Sequence, residues 1–121
     1  MSEIKGDVQA EQLLPAEQII NVTQINGEFR ALAVLNSWQA YHTPKNLAAA
    51  VAVEASELLA EFQWLTAEDS KALDSHQKAQ VADEVADVFM YLTELCAQLE
   101  INMGDAIQTK ITKNKQRFKK L

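Results

Sequence analysis

Between residues 81 and 99, apolar side chains recur at alternating intervals of four and three: Val81, Val85, Val88, Leu92, Leu95 and Leu99. A stripe with that period runs down one side of an α-helix; a strand, whose faces alternate every second residue, cannot carry it. It predicts a long helix that has to be covered by another helix, from the same chain or from a second copy. The scarcity of turn formers agrees. With 3 Gly and 2 Pro in 121 residues, the chain lacks the punctuation of a many-stranded sandwich or barrel.

Three further helices follow from the same reasoning. One is expected from near Asn26 to Tyr41, with Phe29, Leu32, Ala33 and Trp38 as its apolar positions. Pro44 ends it, because the residue before proline is driven out of the α region. Thr43 then suits an N-cap, and a second helix opens at Pro44 or Lys45. Leu47, Val51, Leu58 and Phe62 give that helix its apolar face as far as Trp64 or Leu65. Thr66 to Gln77 is polar and reads as a connector with at most a short helical turn. Gly104 is suited to ending the long helix, and Asp105 to capping a last one that contains Ile107, Ile111 and Phe118. The expected fold is all-α with four helices: residues 1–24 as an N-terminal arm, residues 25–121 as one domain.

Charge is unevenly spread. Six of the eleven basic residues lie in the last twelve positions, so residues 1–109 hold 5 basic against 17 acidic residues, a balance of −12. Such a body repels the phosphates of a nucleic acid duplex, while the basic end suits either a small polyphosphate or the negative end of a helix dipole. The single cysteine, Cys96, excludes an intramolecular disulfide and sits among leucines, as an inert thiol does. No apolar run approaches the length of a membrane span, and the N-terminus lacks the apolar stretch of a signal peptide. A cytoplasmic location is the expectation.

The second helix carries Glu54-Ala-Ser-Glu57 and the third carries Glu84-Val-Ala-Asp87. Each pair is spaced i, i+3 and shares a helical face. Glu54 falls within the apolar stripe between Val51 and Leu58, where an uncompensated carboxylate is costly. Four such groups converging between two helices would repel one another unless a cation joins them. Oxygen-only ligands without His or Cys select Mg²⁺, with Mn²⁺ as a substitute, over Zn²⁺. Di-iron bundles use Glu-x-x-His pairs; here His42 and His76 lie elsewhere. Against the metal stands the ordinary reading that acidic pairs on a helix are a solvated face.

At these residues the chain resembles the all-α NTP pyrophosphatase superfamily, which includes MazG-like and dCTP pyrophosphatase-like enzymes. The ExxE and ExxD pairs are separated by 26 residues. Around them, Trp38-Gln-Ala-Tyr-His42-Thr-Pro44-Lys45-Asn46-Leu47, Phe62-Gln63-Trp64 and Glu84-Val-Ala-Asp87-Val-Phe-Met-Tyr91-Leu92 are similar to family segments. Lys110, Asn114 and Arg117 follow its KxxxNxxR pattern, and the likeness runs from about Phe29 to Phe118. Thr112 and Phe118 stand where relatives often have an acid and a tyrosine.

The resemblance implies a MazG-like four-helix fold completed across a homodimer or homotetramer. It also implies cleavage of (deoxy)nucleoside triphosphates to a nucleoside monophosphate and pyrophosphate, a housecleaning activity with dCTP-like substrates favoured. Glu54, Glu57, Glu84 and Asp87 would be the catalytic metal ligands. Trp38, His42, Lys45, Trp64, Tyr91, Lys110, Asn114 and Arg117 would bind substrate. A phosphoribosyl-ATP pyrophosphohydrolase or dimeric dUTPase-like enzyme is the nearest alternative, and a non-enzymatic helical interaction module is the alternative of another class.

Overall fold

The computed structural model describes residues 18–119, and every regular element among them is helical. Residues 1–17 of the expected arm lie outside the described residues. Four long helices are present, α1 (Val22–Leu35), α2 (Pro44–Ala60), α4 (Ser75–Gln98) and α5 (Met103–Arg117), with a one-turn helix α3 (Ala67–Ser70) inside the expected connector. α2 lies along α4 and α1 packs on α4 beside it. No helix among the described residues is long and apolar enough to cross a membrane.

The helix starts are set by side-chain caps. Thr43 accepts the Asn46 amide at 3.2 Å with Pro44 in the first turn, as expected, and the Asn46 side chain donates to the Tyr41 carbonyl at 2.9 Å. These bonds fix the entry into α2. α4 begins earlier than the connector's polarity suggests, because Asp74 and Gln77 form a reciprocal capping box. α1 likewise starts ahead of Asn26, inside the expected arm, since Asn21 caps it by accepting the Gln24 amide at 3.0 Å. The cap of α5 is Asn102 and not Asp105, whose own amide donates to the Asn102 side chain at 2.9 Å. Gly104 therefore lies in the first turn of α5 instead of ending α4.

Two helix ends depart more instructively. α1 stops at Leu35, not Tyr41, and Gln39–Tyr41 form a separate 3₁₀ turn. The break comes at Ser37, whose φ of 59° is left-handed. The Ser37 amide donates to the Val34 carbonyl at 3.1 Å and the Trp38 amide to the Ala33 carbonyl at 2.8 Å, a Schellman closure without glycine. α4 ends in the same way: Glu100 has φ 56°, and the Ile101 amide donates to the Cys96 carbonyl at 2.8 Å. A left-handed residue with a Cβ is strained by about 1–2 kcal/mol, so neither end announces itself in composition.

The core is small. Phe29, Ala33 and Leu47 are its buried apolar residues, with Leu47 fully enclosed. Along the apolar seam of α4, Val85 and Leu99 are exposed and the other members are half-buried. What α4 buries is Thr93 and Glu94. Along α5, every described residue from Gly104 onward is exposed, Ile107, Ile111 and Phe118 among them. Within one chain, then, the seam is only partly covered and α5 is left open among the described residues.

Candidate functional site

Packing α2 along α4 brings Glu54, Glu84 and Asp87 together, with one carboxylate oxygen from each lying within 4.8 Å of the others. All three are half-buried. Glu57, one turn beyond Glu54, is exposed and stands outside this three-oxygen group. It is still close enough for its charge to act on both glutamates. The Glu54 carboxyl is raised above its ordinary value, first by burial and then by the charges of Glu57, Asp87 and Glu84, with a hydrogen bond to Asp87 adding to the effect. Glu84 is raised as well, by desolvation and then by Glu57, Asp87, Glu61 and Asp83. A hard divalent cation relieves both causes at once, and an oxygen-only donor set fits Mg²⁺ or Mn²⁺.

Beside the acids opens a cavity of about 640 Å³. Glu54 and Asp87 line one side, and Phe29, Leu32, Trp38 and Tyr91 much of the other. Burial and the nearby charges of Glu54, Asp87 and Glu57 raise the Tyr91 phenol, so it stays protonated and able to donate. The arrangement pairs an apolar, aromatic slot with an anionic edge. It can enclose a planar ring while a cation at the acids holds a polyanion.

Not every residue singled out in the sequence meets in this cavity. His42 stands behind its wall, its ring stacked on Phe29 with centroids 5.6 Å apart and an interplanar angle of 9°, and edge-on to Tyr91 at 6.2 Å. Trp64, on the turn after α2, is 88% exposed and lines neither cavity nor core. Lys45 is exposed in the first turn of α2. Lys110, Asn114 and Arg117 are exposed on α5, where the Arg117 guanidinium lies 5.0 Å from the Phe118 ring centre.

Two residues of α4 escaped the sequence reasoning. Glu84, Asp87, Tyr91, Glu94 and Gln98 form a polar stripe with the same three-and-four spacing as the apolar seam. Glu94 Oε1 accepts from Arg30 Nε at 2.7 Å and from Asn26 Nδ2 at 2.9 Å, and Oε2 accepts from Gln98 Nε2 at 3.0 Å. Gln98 Nε2 also donates to the His42 carbonyl. Burial alone would raise the Glu94 carboxyl, but the bonds from Arg30, Gln98 and Asn26 and the Arg30 charge outweigh it and hold the group below its ordinary value. Continuing the spacing of Glu84 and Asp87 past Tyr91 would have found both residues.

The sequence and the fold of the chain match proteins already described. The family model for the MazG-like family aligns with residues 49–120, more than half of the chain and including all four acids of the two pairs. The chain belongs to the MazG-like family. A crystal structure of a pyrophosphatase from Archaeoglobus fulgidus superposes with a TM-score of 0.76 at 32% identity, over 88% of this chain and 100% of that one. dCTP pyrophosphatase 1 of mouse is 29% identical over 106 residues, and that of human 27% identical over 126. The MazG-like chain spans 61% of the mouse relative and 72% of the human one.

Proposed function

We propose that this MazG-like protein hydrolyses (deoxy)nucleoside triphosphates between the α- and β-phosphates in the presence of Mg²⁺, releasing a nucleoside monophosphate and pyrophosphate, and that dCTP-like substrates are favoured. The observation that carries the reading is the trio of carboxylate oxygens from Glu54, Glu84 and Asp87, within 4.8 Å of one another and opening onto an aromatic cavity. The names of the mouse and human relatives support the choice of base.

Glu54, Glu84 and Asp87 would hold the divalent ion, with Glu57 at the exposed rim completing the set. When bound, such an ion supplies Lewis-acid polarisation of phosphate oxygens and a more acidic water. The chain's own groups do the rest. Phe29, Leu32, Trp38 and Tyr91 take the nucleoside and exclude water from it, and the Tyr91 hydroxyl donates a hydrogen bond to whatever polar atom reaches it. A carboxylate oxygen of the cluster left free of the ion is suited to accept a proton from the attacking water. Lys45, Lys110 and Arg117 are the groups to neutralise departing phosphate, and Asn114 is the one to hydrogen-bond phosphate or sugar. In one chain α5 stands open, so its three would come from the neighbouring copy of a homodimer or homotetramer.

The test is pyrophosphate release from dCTP, dUTP, dATP and GTP, with Mg²⁺, with Mn²⁺ and with chelator. The expected result is metal-dependent turnover with dCTP preferred. Absence of pyrophosphate from every nucleotide in both metals would end the proposal.

A further inference from the structure

Glu94 is a charged side chain held between α4 and α1, only 4% exposed. Replacing buried ion pairs by apolar residues is often neutral or stabilising, so packing alone gives no reason for a carboxylate. What a carboxylate adds is direction. Its partners Asn26 and Arg30 are one turn apart on α1, and fixing both sets the rotation of that helix and hence the aim of Phe29, which lies between them in the chain. Its third partner, Gln98, passes the constraint to the His42 carbonyl. Phe29 lines the cavity, and His42 is the ring stacked behind it. The network therefore holds the stack from both sides.

We propose that Glu94 and Gln98 are positioning residues for the aromatic wall, acting through the Phe29–His42 stack to set nucleoside affinity and base discrimination. The assignment rests on the nucleotide reading of the cavity. Along α4, Glu94 lies seven positions and Gln98 eleven positions beyond Asp87, about 10 and 16 Å along the axis, so neither residue is placed to touch the metal or the phosphates. Loss of the network should loosen binding and leave the chemical step nearly unchanged.

Gln98→Met keeps the length and volume of the side chain and removes both donated hydrogen bonds; Gln98→Lys restores a donor that reaches Glu94 and the His42 carbonyl. Two readouts are needed. The first is the imidazole proton resonance of His42, shifted upfield by the Phe29 ring; His76 is exposed and serves as the internal reference. The second is steady-state kinetics over the nucleotide panel. For Gln98→Met the expected result is a His42 signal moved towards its unstacked position, KM for dCTP up about fivefold, base preference flattened and kcat within about twofold of wild type. Gln98→Lys should return both the signal and KM to near wild type, which a role in packing alone would not produce. A His42 signal unmoved in Gln98→Met, or a moved signal with unchanged KM and preference, overturns the proposal. If the wild-type protein turns over no nucleotide, the functional reading falls instead, and the His42 signal still decides whether the pair positions the stack.

Discussion

Exchanging Asp87 for asparagine tests the acidic cluster most directly. The Glu54 and Asp87 oxygens lie within 4.8 Å, where two unit charges repel by about 1 kcal/mol in a water-like dielectric and by about 3–4 kcal/mol at an effective value of 20. Both carboxylates are only half-buried, so solvent and salt favour the lower figure, about 1 kcal/mol. Asparagine keeps the size of the side chain and turns a repelling oxygen into an amide that donates to Glu54. Without metal, the Asp87→Asn variant should therefore melt higher than wild type, by roughly 4 °C for a domain of this size. Addition of Mg²⁺ should raise the wild-type Tm and leave the variant's almost unchanged. Turnover should fall by roughly 100-fold or more, about 2.7 kcal/mol of barrier. Thermal melts in chelator and in Mg²⁺, together with pyrophosphate release, measure all three. Wild-type turnover, or a chelated variant that melts lower than its parent, would refute the reasoning.

Stability without metal should also depend on pH in a defined direction. Glu54 and Glu84 bind protons more tightly folded than at their ordinary value of 4.5, so stability should fall as pH rises from 4.5 through their raised pKa values, and Mg²⁺ should remove that slope in melts across the range. Glu94 acts oppositely, its depressed pKa withdrawing stability only as pH drops below the ordinary carboxylate value. Glu100→Gly should stabilise by about 0.5–1 kcal/mol in denaturant titration, the relief of left-handed strain exceeding the added freedom of the unfolded chain. Lys110→Ala should lower kcat for every triphosphate alike, whereas Trp38→Ala should mainly raise KM and flatten base preference. Light scattering at micromolar concentration should find a dimer or tetramer, and a stable, active monomer would contradict the open α5 being covered by a second copy.

The acidic cluster was legible because helical periodicity alone puts Glu54 among apolar neighbours and Asp87 on the face of Glu84; nothing tertiary was needed beyond the pairing of two helices. Thr43 and Pro44 announced the start of α2 for the same local reason. The end of α1 was not readable, since Ser37 adopts a glycine-like φ of 59° without being glycine. The apolar seam left its partner open: hydrophobicity marks which face of α4 avoids water, not which helix covers it, and the residues that α4 buries most deeply, Thr93 and Glu94, are polar. Glu94 was not readable as a buried acid because its three donors come from 64 to 68 residues away on α1 and from the next turn of α4. Trp64 shows the converse, an aromatic residue that a motif places in a pocket and a single chain leaves in solvent.

The exposure of α5 has an electrical consequence. Residues 1–109 sum to −12 and residues 110–121, with six basic and no acidic side chains, to +6. Much of that positive charge is carried on a helix that does not fold back onto the acids. Such a molecule is its own counterion: the basic end of one copy is attracted to the acidic body of another, most strongly at low ionic strength, where the Debye length exceeds the width of a helix. A divalent cation bound at Glu54, Glu84 and Asp87 would lower the same negative potential. Filling the acids and drawing in a basic helix thus compete for one field, and whatever neutralises the cluster also slackens the pull on α5.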